Sequence, residues 1–201
     1  MKRLFIPLLC SFFMTTHAFG QAPQTTCDRL AAHPSDTQKA AAGVEQEDFD
    51  IPAARAACKQ ALDAYPGEAR FSYQYGRSFF YEDNYDDAMP HFERAAALGS
   101  AQGQLVLGLV VMGGFVGEPD VCRAGDLWLT AARQNHLYGK IYLLQNWLDG
   151  MFEDCGLDLS TAEAEAMVES AMALANTPQA QDQAKDDVAQ LQDSWTQRAQ
   201  N

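Results

Sequence analysis

Residues 84–108 read NYDDAMPHFERAAALGSAQGQLVLG. The small residues Ala88, Ala95, Ala96, Gly99, Gly103 and Gly108 fall there at intervals that a solitary helix has no reason to keep. Downstream, residues 123–140 read RAGDLWLTAARQNHLYGK. Thirty-six residues on, Ala124 stands for Ala88, Trp128 for Phe92, Ala131-Ala132 for Ala95-Ala96, Asn135 for Gly99 and Gly139 for Gly103. Upstream, Ala54, Cys58, Ala61 and Ala69 precede Ala88, Phe92, Ala95 and Gly103 by 34 residues, with cysteine in the aromatic position. Three units in register at this period mark an array of stacked supersecondary elements.

Apolar residues within each unit recur at helical spacing, Phe71, Tyr75 and Phe79 on one segment and Ala88, Phe92 and Ala95 on the next. Each unit therefore reads as a helical hairpin. Antiparallel helices approach closely only where side chains are short, so Ala or Gly at matched positions makes room for a large knob such as Phe92 or Trp128. Gly99 and Asn135 fall where a helix ends in the left-handed conformation that these residues tolerate best. The fold class is all-α, a solenoid of stacked antiparallel helix hairpins.

Helices are expected from about Thr26 to His33, Asp50 to Ala64, Glu68 to Tyr81, Asp86 to Leu98, Ala101 to Met112, Val121 to Gln134, Leu137 to Leu148, Ser160 to Ala175 and Pro178 to Arg198. Pro52 is tolerated in a first turn, and Asp120 and Ser160 are natural N-caps. The final helix sets Ala180, Ala184, Val188, Leu191 and Trp195 on one face and a polar, Gln- and Asp-rich surface on the other, as the cap of a repeat array requires. Three segments result: 1–20, a repeat domain over 21–177, and a capping helix over 178–201.

Residues 1–20, MKRLFIPLLCSFFMTTHAFG, combine Lys2 and Arg3, an apolar run from Leu4 to Met14, and a small-x-small site before Gln21. This is the pattern of a cleavable export signal. A lipoprotein alternative built on Cys10 is disfavoured, because the apolar run continues past it. No other apolar stretch has the ~18 residues needed to span a bilayer. The expected location is the bacterial periplasm or the exterior, with no membrane insertion after cleavage.

The whole chain carries a formal net charge of −13, and the leader holds two of its 14 basic residues and none of its 27 acidic ones. A surface so acidic repels phosphate and forgoes counterion release, which argues against nucleic acid as a partner; it equally argues against anionic membranes. Beyond the leader stand Cys27, Cys58, Cys122 and Cys155. An even number in an exported chain reads as disulfides. Three connectivities are possible, and the separations of about one repeat suggest Cys27 with Cys58 and Cys122 with Cys155, each stapling neighbouring helices. No Cys-x-x-Cys or His cluster proposes a metal, and no cofactor is expected.

The strings YQYGRSFFYEDNYDDAMPHFERAAALGSA and GQLVLGLVVMGGFVGEPDVCRAGDLWLTAARQN resemble Sel1-like repeats, close relatives of tetratricopeptide repeats. Leu107-Gly108, Gly113-Gly114, Val116, Asp120, Ala124, Trp128 and Ala131-Ala132 carry the resemblance, which spans roughly residues 25–176. The loop between Tyr81 and Asp86 is shorter than that pattern, Leu144 stands where Gly is expected, and the loop around Cys155 is enlarged. The resemblance implies a concave face that binds peptides or partner proteins.

The first helix of each hairpin lines the concave side of such an array. Outward positions on those helices are Arg70, Tyr73, Arg77, Phe80 and Tyr81, then Leu105, Leu109 and Met112, then Ile141, Gln145 and Leu148. Arginines and aromatics of this kind are enriched at interaction hot spots. A charge reversal at Arg77 is accordingly expected to weaken partner capture while sparing stability. The competing reading is that Tyr73 and Phe80 pack against neighbouring helices and the arginines pair with Glu68 and Asp87.

GGFVGEPD at 113–120 has neither the Lys-Ser/Thr nor the preceding strand of a phosphate loop and reads as an inter-helix turn. EQEDFD at 45–50 lacks the mid-loop Gly and terminal Glu of a calcium loop and reads as solvated. His33, His91 and His136 fall near helix ends and are expected at the surface. No nucleophile, base and oxyanion donor are brought together by the pattern. The function expected is a non-enzymatic, exported scaffold that binds a protein or peptide partner. The alternatives are a β-lactam- or peptidoglycan-binding or hydrolysing envelope protein, and a self-assembling structural subunit.

Overall fold

The computed structural model describes residues 22–177 and 181–199. The expected leader, and residues 178–180 at the start of the capping segment, lie outside them. The described residues form nine helices and no strand: α1 (Thr26–Ala31), α2 (Ile51–Ala64), α3 (Ala69–Phe80), α4 (Tyr85–Ala97), α5 (Ala101–Gly113), α6 (Val121–Arg133), α7 (Leu137–Leu148), α8 (Thr161–Ala175) and α9 (Asp182–Ala199). Consecutive helices pack against each other along the chain. The odd-numbered helices also touch in series, α1 with α3, α3 with α5, α5 with α7 and α7 with α9, whereas the even-numbered ones make no comparable contact with one another. Crowding of one row and splaying of the other is what curves a solenoid, so the odd-numbered row is its inner wall.

Local chemistry sets the helix boundaries. Asp50, Asn84, Ser100, Asp120, His136 and Ser160 each accept a backbone N–H of the first turn, which satisfies a donor that the helix leaves without a partner. Ser100 and His136 are repeat-equivalent caps, the hydroxyl taking Gly103 N–H at 3.0 Å and the imidazole Nδ1 taking Gly139 N–H at 3.2 Å. Gly99 and Asn135 adopt φ of 90° and 62°, as their positions after α4 and α6 require. Asp83 enters the same region with φ 56° in the tight turn between α3 and α4.

The repeating small residues are where helices meet. A Cβ built on Gly108 would sit 2.3 Å from Trp128 Nε1, and one on Gly76 would sit 2.9 Å from the Phe92 ring. Trp128 is 1% exposed and donates its indole N–H to Leu105 O at 3.1 Å. A Cβ on Gly103 or Gly139 would meet the Ala95 or Ala131 methyl at 2.7 and 2.9 Å, the same contact one repeat apart. The departure at Leu144 has its own compensation. Ala164, 36 residues beyond Trp128, occupies the knob position of the third unit, and it and Leu144 are both buried in the one core. The larger and smaller residues have exchanged helices relative to Gly108 and Trp128.

The two disulfides are Cys27–Cys58 and Cys122–Cys155, with Cα separations of 4.5 and 5.1 Å. The first joins α1 to α2. The second ties α6 to the loop that follows α7 rather than to a neighbouring helix, because the chain reaches Cys155 before α8 begins. In α9, Ala184, Val188 and Leu191 are buried and Trp195 stacks on Trp147 at 6.0 Å. No helix of the described residues is long and apolar enough to cross a membrane.

Candidate functional site

The chain between α1 and α2, residues 32–50, crosses the inner wall of the solenoid. Val44 N–H bonds Ala32 O at 2.9 Å and closes this excursion at its base. Ser35 Oγ reaches Gln102 Oε1 on α5 at 3.2 Å, and Gln181, just before α9, donates to Glu45 Oε1 at 3.0 Å. A strap from the N-terminal unit thus spans to the C-terminal one. Below it lies a cavity of about 440 Å³.

Its walls come from the odd-numbered helices: Tyr73, Arg77, Phe80 and the adjoining Tyr81; Gln102, Leu105, Val106 and Leu109; and Tyr138 and Tyr142. Phe92 of α4 closes the floor, and His33, Ser35, Glu45, Gln46, Glu47 and Gln181 form the covering side. Six of the expected partner-contacting residues (Tyr73, Arg77, Phe80, Tyr81, Leu105 and Leu109) are brought together here. Arg70, Met112 and Gln145 are not among the lining residues, and neither are Ile141 and Leu148.

Several side chains expected to face outward are interior. Arg70 is 7% exposed and donates Nε–H to the fully buried Asp28 at 2.9 Å, with further bonds to Glu68, Ala22 O and Pro23 O. Arg77 is 2% exposed. It donates to Tyr81 Oη at 2.9 Å, to Ala31 O and Ala32 O at 3.1 and 2.8 Å and to Val44 O at 2.6 Å, with the Phe49 and Tyr81 rings against its guanidinium. It receives the buried C-terminal end of α1, whose last carbonyls have no helical partner, and fastens the strap to α3. The expectation that reversing its charge spares stability is therefore corrected: Arg77 is a structural anchor. Tyr73, at 1% exposure, packs on Phe92 with ring centroids 5.9 Å apart.

The histidines also depart from expectation. His136 is fully buried; its Nδ1 caps α7 and its Nε2 lies 2.8 Å from Gln102 Oε1, so the Nε2–H tautomer fits both contacts. Burial first, then the Lys140 and Lys39 charges, hold it down at about 4. His33 is partly buried; its Nδ1 accepts the Ser35 N–H at 3.1 Å and lies 2.7 Å from Ser35 Oγ. Burial, Arg77, His136 and Lys39 lower it to about 3. Both rings are neutral at pH 7. His91 is half-buried against Tyr75 and Phe79.

Toward α9 the cavity is acidic. Glu45 and Glu47 are exposed on the strap and the carboxylate of Asp187 is half-buried. Burial, then Asp187, raises the Tyr142 phenol; for Tyr138, burial, Asp187, Tyr142 and Glu45 act in that order. Nothing in EQEDFD marked it as the border of a cavity, because nothing local records where a long loop will lie. The aromatic and apolar walls could have been found from the inner-helix register.

Neither a protein-family model nor a curated protein matches the sequence. Among solved structures, the chain is similar to a Sel1 repeat protein from Oxalobacter formigenes, at 21% identity and a TM-score of 0.51 over 68% of this chain and 95% of that one. It is likewise similar to a protective antigen of uropathogenic Escherichia coli strains that displays an SLR fold, at 17% identity and a TM-score of 0.51, over 78% of this chain and 37% of the antigen. The class is thus an α-solenoid with the Sel1-like repeat fold.

Proposed function

We propose that this protein is an exported, non-catalytic scaffold that holds an extended peptide segment of a partner protein in the cavity between its inner helices and the 32–50 strap. The observation carrying this reading is the composition of that cavity. Six aromatic side chains and three aliphatic ones line a space of about 440 Å³, a volume within the range of sites that receive compact ligands and too small for a docked helix. Buried aromatics in a concave site supply large contact area at low entropic cost. Two disulfides support export, since such bonds persist in oxidising compartments, and residues 1–20 support it as a leader.

The test is a photo-crosslinking amino acid placed at Leu109, in the cavity wall, or at Thr130, on the exposed side of α6. Crosslinking in whole envelopes through position 109 but not 130 is expected. Crosslinks through 130 alone would remove the concave face from consideration. A chromogenic β-lactam turned over by the purified protein would replace the reading with the enzymatic one.

A further inference from the structure

Which peptide side chain would the cavity choose? Its one fixed cation, Arg77, is no free anchor. Three backbone carbonyls and the Tyr81 hydroxyl occupy its donors, and two aromatic rings flank it at 4.6 and 4.8 Å. An anion entering the cavity would find at most one of the five guanidinium N–H groups open.

The opposite end has the reverse character. Tyr138 and Tyr142 stand one helical turn apart on α7 and both line the cavity. Glu45 and Glu47 border it from the strap, and Asp187 approaches from α9 closely enough to act on both phenols. None of these three carboxylates takes part in an ion pair of the described residues; Glu45 accepts from Gln181 and Asp187 from Gln183, both neutral amides. Aromatic faces flanked by unneutralised carboxylates attract a cation through the ring quadrupole and through charge together. The net charge of −13 extends the same field over the surroundings.

We infer that the α7–α9 end of the cavity selects a lysine or arginine side chain of an extended peptide, with the aliphatic stem lying on Leu105, Val106 and Leu109 and the charged head between Tyr138, Tyr142 and the carboxylates of Glu45, Glu47 and Asp187. This rests on the peptide-binding reading above and names the residue that such a peptide must carry. The long stem suits the geometry, since it covers apolar wall while its head stays at the acidic rim.

The experiment uses fluorescein-labelled nonapeptide pools whose central residue is fixed as Arg, Lys, Leu or Glu and whose flanks are drawn from Ala, Leu, Phe and Ser, titrated with the full oxidised protein and followed by anisotropy. The Arg and Lys pools are expected to bind at least about ten-fold more tightly than the Leu and Glu pools. That preference should shrink as salt rises and largely vanish in the Glu45→Gln/Glu47→Gln/Asp187→Asn triple variant. Glu45 and Glu47 are exposed, so loss of folding there is not expected, and circular dichroism with the melting temperature checks it. If the Leu pool binds as well as the Arg pool and the triple variant changes nothing, the cation selectivity is wrong while peptide binding stands. If no pool binds the folded protein at up to millimolar concentration, both readings fall.

Discussion

The first unit of the solenoid and its central units are held together by different chemistry. In α4 to α7 the helices meet mainly through Gly against Trp, Gly against Ala and aliphatic fillers, with buried polar contacts such as His136 to Gln102 near the helix starts. In α1 to α3 the aromatic knob is replaced by the Cys27–Cys58 bridge. Behind it lies a buried polar set in which Asp28 caps its own helix at Thr25 N–H, 2.7 Å away, and accepts Arg70 from the next unit. The central units rest mainly on shape, supplemented by the Cys122–Cys155 bridge, and the first unit on buried charge and its own bridge. The difference teaches that one repeat geometry can be sustained by unlike side chains, provided each interface satisfies its own polar groups.

The largest effect should come from splitting the charge pair. Arg70→Ala leaves the Asp28 carboxylate buried and is expected to lower stability by about 3–5 kcal/mol. Arg133→Ala, which loses the exposed contact to Glu163, should cost less than about 1 kcal/mol. Denaturant titration of both variants decides this; similar losses would erase the distinction between the two regions.

Next come the disulfides. Removing either one by a Cys→Ser pair should cost about 3–4 kcal/mol from loop entropy alone. They should nevertheless open in order, because Cys27 and Cys58 are fully buried whereas Cys122 is exposed. Under mild reductant, alkylation and mass mapping should find Cys122 and Cys155 modified first. Simultaneous labelling of all four would mean that the N-terminal unit opens as readily as the rest.

Gly108→Ala probes the shape-specified interface. Its methyl would lie 2.3 Å from Trp128 Nε1, and the expected loss is about 1–3 kcal/mol, the range for overpacking. Trp128→Phe in the same chain removes the atom it meets and should recover part of that loss, read as a coupling energy in a double-mutant cycle. Additive losses would place the strain elsewhere.

A more gradual effect comes with pH. His33 and His136 titrate at about 3 and 4 in the folded chain and at 6.5 when unfolded. The unfolded chain therefore binds protons first as pH falls below 6.5, and stability present above that value is lost progressively toward pH 4. Asp36 acts oppositely, because burial raises its folded pKa above 3.8 and its contribution grows as the acid form is reached. Between pH 7 and 5 His136 should lose about 2 kcal/mol by linkage, with a smaller loss from the partly exposed His33. His136→Gln should flatten the profile measured by thermal melts; an unchanged slope would assign it to other groups.

The central units were the legible part of the sequence. Gly99 and Asn135 adopt the left-handed ends that their positions demanded, and α7 and the caps Asp120 and Ser160 fall where the pattern put them. The exchange of Leu144 and Ala164 read only as an irregularity, because compensation between two helices leaves no trace in either one. For the candidate site, the inner helices and their aromatic register were readable, and six of the nine named residues share the cavity. Arg70 and Arg77 were placed on the correct helices, yet a helical register cannot say that α1 and the strap will cover them.

By itself the sequence determined that this chain is a helical repeat array, since periodic small residues and end-capping residues act locally and within neighbouring hairpins. Only the tertiary structure decided where the 32–50 strap runs, that Arg77 fastens it, and that carboxylates of the strap and of α9 converge on Tyr138 and Tyr142. Those contacts join residues separated by 33 positions at Arg77 and Val44 and by 136 at Glu45 and Gln181, and their energy depends on burial and distance rather than on any spacing along the chain.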